Sequence, residues 1–216
     1  MPIGIRFYKT YHMQRFPLFL AIAITALTAC NHNKKILVYA TSDSEIKVDE
    51  TQKNITVADG SAHREKELDF SGSDPVTLNI QTPSGKLTLQ ASDDGLYIVN
   101  LKMDTVVGSY QHVGADNGQT RITQDALKQK LDSLQKLVLD QNVSAANRNY
   151  FIAPNQMIRI TPETKAKVFG PYVTIPGDFD AASAPEIYKF YTNKEVREII
   201  GNLTKMANVP QSGGGN

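Results

Sequence analysis

Short apolar or alternating segments, separated by polar turns, follow one another from Ile36 to Val113. Two of them, "SEIKVDE" and "NITVAD", alternate apolar and polar residues with a period of two, as half-buried strands do. The segments that show this strand pattern are "ILVYA", "SEIKVDE", "NITVAD", "REKELDF", "PVTLNIQ", "KLTLQA", "LYIVNLKM" and "VVGSYQHV". The breaks between them are rich in Gly, Pro, Asp and Ser. About eight strands at spacings of roughly 8–12 residues predict an antiparallel β-sandwich-like domain over residues 36–113.

The pattern changes after Gly114, and the next segment predicts a long amphipathic helix. Thr123 can cap a helix that runs to about Asp140, with an acidic residue in its first turn. Spacings of four, three and four make one apolar stripe of Leu127, Leu131, Leu134 and Val138. Two heptads are too short for a stable coiled coil, so we expect this helix to pack on the sheet.

The remainder of the chain predicts an α+β region over residues 121–207. Further strands are expected in "YFIAP", "QMIRIT" and "AKVFGPYVTIP". Two capping boxes follow, at Ser183–Glu186 and Thr192–Glu195. The first would start a helix at Pro185, and the second opens a C-terminal helix to about Met206. Residues 208–216 are expected to form a flexible tail. The fold class is therefore mainly β, with an α+β C-terminal part.

The N-terminal segment "FPLFLAIAITALTAC" (residues 16–30) is typical of a secretory signal peptide. Its apolar run is about 13 residues, shorter than the roughly 20 that a spanning helix needs. Arg6, Lys9 and Arg15 precede it without an acidic residue, as in a signal peptide. Residues 1–29 are thus expected to be removed, and Met13 is an alternative start. A buried core helix is the competing interpretation of the apolar run.

The end of this segment, Leu27-Thr28-Ala29-Cys30, resembles the lipobox of bacterial lipoproteins. The resemblance implies that Cys30 becomes the first residue of the mature chain and carries acyl chains such as palmitate. The partner it implies is the membrane, held through the lipid anchor at Cys30, because two or more acyl chains anchor a protein stably. Asn31 stands where an Asp would imply retention at the inner membrane, so the outer membrane is expected, on its periplasmic or external face. An ordinary secreted protein cut near Ala29 would instead expose the cysteine as a free thiol.

Composition limits the other possibilities. Cys30 is the only cysteine, so the fold is expected to depend on core packing without disulfides. The formal net charge of +1 gives no reason to expect a nucleic acid partner. Residues 30–35 form the predicted lipidated tether.

The sequence contains few signals of catalysis or metal binding. His63 and His112 are the histidines expected in the folded region, and "HRE" (residues 63–65) lacks the cysteine pair of a zinc deaminase. The chain has no G-x-S-x-G elbow and no GxxxxGK loop. The acidic turns Ser71–Pro75 and Ser92–Gly95 could offer oxygens to Ca²⁺ but are also ordinary hairpin turns. No cofactor, metal site or catalytic residue is therefore predicted.

Most aromatic residues of the predicted mature chain lie in its second half, and three of them are candidate binding residues. These are Tyr172, Tyr188 and Tyr191; the last two would share one helical face if Pro185 started a helix. The alternative is that they complete the core. The leading functional hypothesis is a non-enzymatic binding or scaffolding role in a cell-envelope assembly with a protein partner. The alternatives are an envelope hydrolase with His63 or His112 beside a carboxylate and a hydroxyl, and a lipoprotein that binds a small ligand or glycan.

Overall fold

The structure is a computed structural model that describes residues 32–111, 124–141, 143–176 and 185–207. The predicted signal peptide, Cys30, His112, Thr123 and the tail 208–216 lie outside the described residues. The strands, in chain order, are β1 (Asn33–Thr41), β2 (Lys47–Asp49), β3 (Asn54–Thr56), β4 (His63–Ser71), β5 (Val76–Thr82), β6 (Gly85–Ala91), β7 (Gly95–Asn100), β8 (Val106–Gln111), β9 (Asn149–Ile152), β10 (Gln156–Thr161), β11 (Lys167–Phe169) and β12 (Ile187–Thr192). The helices are α1 (Gln124–Val138) and α2 (Asn193–Ala207). The mainly β fold predicted from the sequence is confirmed.

The strands of the described residues form three four-stranded sheets. Sheet A has the order β10-β7-β1-β4, sheet B the order β2-β3-β5-β6, and sheet C the order β11-β12-β8-β9. Most neighbours are antiparallel, but β1 pairs with β7, β3 with β5, and β11 with β12 in parallel. The chain leaves sheet A twice between β1 and β7, first for β2 and β3 and then for β5 and β6 of sheet B. It returns once as β4, antiparallel to β1, and then as β7, which runs parallel to β1.

Sheet A is the middle layer of the fold. Alternate side chains of β1 point to opposite faces, as the pleat of a strand requires. Ile36 and Val38 belong to the core shared with sheet B, whereas Leu37 and Tyr39 belong to the core shared with sheet C. Burial on both faces explains why β7 is buried at all six of its positions.

The two helices cover the outer face of sheet C. Leu137 of α1 and Val196 of α2 are buried against Val107 of β8. Packing of the first helix on a sheet was predicted from its apolar stripe and is confirmed, although Leu139, just after it, is 65% exposed. The second helix begins as predicted, with the backbone N–H of Glu195 donating to Thr192 Oγ1 at 3.1 Å.

The prediction of a helix that starts at Pro185 is wrong. Residues 187–192 form β12, which pairs with β8 on one side and with β11 on the other. Its β-branched and aromatic sequence "IYKFYT" fits a central strand, and its first four side chains are all buried. Long-range pairing therefore outweighs the local capping signal.

The sheets also mix residues from the two predicted domains, 36–113 and 121–207. Strand β8, from the first range, lies in sheet C with β9, β11 and β12, while β10, from the second range, lies at the edge of sheet A. The described residues after Asn31 belong to one compact unit.

Candidate functional site

The three candidate tyrosines lie in three different environments. Tyr188 is only 1% exposed and belongs to the core between sheets A and C. Tyr191 points to the other face of β12 and packs, half-buried, against the core beneath the helices. Tyr172 is 58% exposed. The structure therefore does not bring the three side chains to one surface, because the segment that holds two of them is a strand.

Tyr188 is held by a hydrogen-bonded network inside the fold. Its hydroxyl accepts from Arg148 Nη2 at 2.9 Å and donates to Glu186 Oε2 at 3.1 Å. Thr161 Oγ1 donates to the same carboxylate at 2.7 Å, and Arg148 also pairs with Glu186. Burial alone would raise the pKa of Glu186, but hydrogen bonds from Thr161, Arg148 and Tyr188 outweigh it and lower that pKa. Because Thr161 ends β10 of sheet A and Tyr188 lies in β12 of sheet C, the network links the two sheets.

Tyr172 is fixed over the edge of the interface between the same two sheets. Its backbone N–H donates to the carboxylate of Glu195, with both oxygens at 3.2 Å, and its hydroxyl lies 3.2 Å from Thr192 Oγ1. Its backbone has a positive φ of 65°, a conformation that is unusual for a large side chain. The ring meets the ring of His63 edge-on at a centroid distance of 5.9 Å.

His63 connects a lysine to a carboxylate. Lys102 Nζ lies 2.9 Å from its Nδ1, and Glu65 Oε1 lies 2.7 Å from its Nε2. An ammonium group only donates hydrogen bonds and a carboxylate only accepts them. This arrangement therefore assigns the neutral ring with its proton on Nε2. Both ring nitrogens are thus engaged by neighbouring side chains.

A second buried lysine lies beside this chain of contacts. Lys189 Nζ donates to the carbonyl oxygens of Gly170 at 2.7 Å and Phe190 at 2.8 Å, and lies 3.8 Å from Glu195 Oε1. Gly170 leaves room for Glu65, since a Cβ at this glycine would lie 1.8 Å from Glu65 Oε1. We refer to His63, Glu65, Lys102, Lys189 and Glu195 together as the His63 cluster.

The cluster places two buried lysines beside two carboxylates, of which Glu65 is exposed and Glu195 is half-buried. Burial lowers the pKa of Lys102 and of Lys189, and the negative charges of Glu65 and Glu195 partly restore both values. Asp104 acts in the same direction on Lys102. Mutual neutralisation permits this much charge between two sheets.

Tyr39 borders the cluster from β1. Its side chain is fully buried, and its ring centroid lies 5.8 Å from that of His63. Among the described residues, its hydroxyl is the one buried side-chain polar atom without a hydrogen-bond partner. Burial and the nearby charge of Glu65 raise the pKa of Tyr39 well above its ordinary value.

A separate set of contacts fixes the beginning of the fold. Asp94 accepts from His32 Nδ1 at 2.5 Å and from Lys34 Nζ at 3.3 Å. Lys34, only 1% exposed, also donates to the carbonyl oxygen of Gly72 at 3.0 Å. The backbone N–H of Gly72 in turn donates to the carbonyl oxygen of His32 at 2.8 Å. We refer to His32, Lys34, Gly72 and Asp94 as the N-terminal clasp.

The clasp involves both acidic turns that were considered as Ca²⁺ ligands. Gly72 belongs to Ser71–Pro75 and Asp94 to Ser92–Gly95, and the carboxylate of Asp94 is bonded to the side chains of His32 and Lys34. The described part of the chain contains no group of three or more His, Cys, Asp or Glu side chains that could hold a metal ion. No described helix is long and apolar enough to cross a membrane.

Comparison of the chain with protein-family models, with curated proteins and with solved structures finds no match. Any function assigned to the chain therefore depends on its own residues and their geometry.

The sequence carries only weak signals for the His63 cluster. Lys189 interrupts the apolar alternation of "IYKFYT", which is unusual for a central strand. Glu65, Lys102 and Glu195 look like ordinary surface charges in the sequence, and only the packing of sheets A and C brings them together.

Proposed function

We propose that this chain is a lipoprotein of the bacterial outer membrane, attached through acyl chains on Cys30, with a non-enzymatic binding or scaffolding role in a cell-envelope assembly. The support for the anchor is the lipobox-like Leu27–Cys30 after a basic, apolar segment. The support for the role is the short stretch of chain between Cys30 and the first strand.

The carrying observation is that the fold starts almost at the predicted anchor. Strand β1 begins at Asn33, and the N-terminal clasp fixes His32 and Lys34. Two residues, Asn31 and His32, separate Cys30 from the first strand, so Asn33 lies within a reach of about 10 Å. A lipidated Cys30 would thus hold the domain against the bilayer without a flexible linker, which suits a component that presents a surface at a defined height.

The surface best suited to a partner lies at the opposite end of sheet A. Strands β1 and β7 run in parallel away from Asn33, and the nine residues of β1 span about 30 Å. The chain beyond β7 carries Met103, which is 80% exposed. Its neighbour Lys102 bonds to His63, under the ring of Tyr172. Met103, Tyr172 and the 44% exposed Val173 are the distal apolar residues that we assign to the partner surface.

The test is crosslinking in intact cells with a tagged full-length chain. We expect a dominant partner whose crosslinks weaken about tenfold in Met103→Ser/Tyr172→Ser, a loss of about 1.4 kcal/mol in binding. The control is Leu139→Ser/Met206→Ser, which alters two other exposed apolar residues, 65% and 60% exposed. Mass spectrometry of Cys30 tests the anchor separately, and an unmodified Cys30 in membrane-associated protein would refute it.

One observation favours the hydrolase alternative. His63 lies beside the carboxylate of Glu65 and beneath Tyr172, which carries an exposed hydroxyl-bearing ring. If this group were catalytic, a broad screen with envelope esters, amides and glycans would find turnover that His63→Phe abolishes. Turnover that survives this substitution would exclude the His63 cluster as its site. The glycan-binding alternative retains Tyr172 as its exposed aromatic residue.

A further inference from the structure

Strand β6 forms an open edge of sheet B. The sheet ends at β6 in the described part of the chain, and β6 pairs with β5 without a register shift. The backbone N–H of Asn79 in β5 donates to the carbonyl oxygen of Lys53 at 3.0 Å, so Asn79 bonds on the side of β3. Thr88 lies opposite Asn79 and therefore directs its own N–H and carbonyl oxygen away from β5. By the same alternation, the backbone groups of Lys86 and Gln90 also point to the open edge.

The other sheet edges of the described residues carry features that hinder pairing with another chain, namely shortness, charge or a bulge. Strands β2, β9 and β11 have three or four residues each. The register of β10 shifts between Arg159 and Thr161. Strand β4 is long, but it has four charged residues in succession, Arg64–Glu67. Strand β6 has seven residues, no proline and a single charge, Lys86, so it is the edge most open to a further strand.

The sequence of β6 is complementary to itself. Two antiparallel copies of this strand can be related by a two-fold axis at Thr88, and this register uses all seven residues. Thr88 then faces Thr88 of the second copy. Leu87 faces Leu89, and the charged Lys86 faces Gln90. No like charges meet, and a pair of threonines stabilises neighbouring strands.

Strand β4 lacks this property, although it is the longer edge. A two-fold axis placed at any residue from Arg64 to Asp69 sets like charges opposite each other, for example Lys66 against Lys66 or Glu67 against Asp69. Like charges directly opposite each other destabilise a strand pair. The match of β6 to a second copy is therefore a property of its own sequence and not of edge strands in general.

Pairing would also cover apolar surface. Leu87 and Leu89 are half-buried and pack against the core between sheets A and B. Because they lie at the rim of this core, the same two side chains of a second copy would remove their exposed parts from water. The two cores would then be continuous across the strand pair.

We propose that two copies of this chain associate through their β6 strands, in the antiparallel register about Thr88, so that two four-stranded sheets become one sheet of eight strands. A single pair of strands makes a small interface, and a weak, reversible dimer is expected. The two-fold axis is perpendicular to the sheet, so the two copies, and their β1 strands, point in opposite directions. The pairing therefore suits copies on facing bilayers, a consequence that rests on the proposed function, whereas the pairing itself does not.

The test is sedimentation equilibrium of the full chain in detergent solution. We expect a monomer–dimer equilibrium whose dissociation constant rises about fivefold in Thr88→Lys, because this substitution sets two lysines opposite each other. Thr56→Lys is the matched control, since Thr56 is also exposed on sheet B but lies in the inner strand β3, and it should leave the constant unchanged. A chain that stays monomeric up to about 1 mM, or equal dissociation constants in both variants, would overturn the proposal.

Amide hydrogen exchange gives an independent measurement. Exchange at Lys86, Thr88 and Gln90 should slow as the chain concentration rises, because their N–H groups become hydrogen-bonded in the dimer. Leu87, whose N–H bonds to β5, should be protected at every concentration. Protection of Thr88 that does not depend on concentration would overturn the proposal, because another part of the chain would then cover the edge. Neither measurement requires acylation of Cys30, so failure of the pairing and failure of the proposed anchor are distinguishable.

Discussion

Lys102 Nζ and His63 Nδ1 lie 2.9 Å apart although 39 positions separate them in the chain. This contact joins the turn after β7 to the first residue of β4 and forms one side of the His63 cluster. Since Lys102 is only 6% exposed, burial lowers its pKa, and the negative charges of Asp104, Glu65 and Glu195 oppose that shift. The interior between sheets A and C is therefore apolar at its centre and charged at this edge.

The contact between Lys102 and His63 should stabilise the fold. Lys102→Met should destabilise it by about 1–3 kcal/mol, because the substitution leaves a buried ring nitrogen without a donor and removes positive charge beside two carboxylates. His63→Phe keeps the ring contacts but removes both hydrogen bonds. In a double-mutant cycle followed by urea unfolding, we expect a coupling of about 0.5–1.5 kcal/mol. Strictly additive losses would mean that the two side chains do not interact in solution.

Alanine substitutions at Gly170 and at Gly201 should have opposite effects on stability. Gly170→Ala should cost about 0.5–1.5 kcal/mol, because the new Cβ would lie 1.8 Å from Glu65 Oε1, and the end of this side chain would move away and lose its hydrogen bond to His63. Gly201 lies exposed in α2 with nothing within 4 Å of an added Cβ, so Gly201→Ala should stabilise by up to about 1 kcal/mol. Chemical denaturation measures both changes. Equal effects at the two sites would contradict the close packing of Glu65.

The Tyr39→Phe variant tests whether the buried hydroxyl of Tyr39 lacks a hydrogen-bond partner in solution. Tyr39→Phe removes a polar atom that has no hydrogen-bond partner among the described residues. The variant should be as stable as the parent or more stable by up to about 1 kcal/mol. A clear loss of stability in urea unfolding would show instead that the hydroxyl makes a hydrogen bond that stabilises the native state.

Tyr150 should make the free energy of unfolding depend on pH in the alkaline range. Burial raises its pKa from 10.0 to about 12, and its hydroxyl donates to the carbonyl oxygen of Ile160. A raised pKa contributes stability that is fully present below pH 10 and is lost as the pH rises through about 12. Tyr150→Phe should cost about 1 kcal/mol at neutral pH and should make the alkaline loss shallower. Unfolding free energies measured across this range test it, and an unchanged alkaline slope would contradict the prediction.

Disruption of the N-terminal clasp should loosen the start of β1 without unfolding the whole domain. Hydrogen bonding from His32 lowers the pKa of Asp94, so its contribution is present above pH 3.8 and is lost as the pH falls through the lowered value. Asp94→Asn should speed amide hydrogen exchange at residues 33–35 while the centre of β1 stays protected. Asp93→Asn is the control, because Asp93 is 73% exposed and its pairing with Arg159 is at 4.0 Å. Equal exchange in both variants would show that the clasp does not hold the strand.

Much of the local structure could be predicted from the sequence. The period of two and the turn residues located the first eight strands, since those signals depend on neighbouring residues alone. The same holds for the apolar stripe of α1 and for Thr192 as the cap of α2. The local signal failed at Pro185, where a capping box preceded a segment that two neighbouring strands hold as β12.

The sequence by itself thus located the described strands and helices except β12, and the Leu27–Cys30 pattern led to an expectation of where the chain is anchored. Only the tertiary structure decided that sheet A lies between sheets B and C, that β8 and β10 lie in sheets with strands of the other range, and that Tyr188 is buried while Tyr172 is exposed. The physical reason is the distance along the chain over which each kind of interaction acts. Periodicity and capping are read over a few neighbouring residues, whereas the contact between Lys102 and His63 and the burial of Lys189 exist only after strands distant in the chain have packed together.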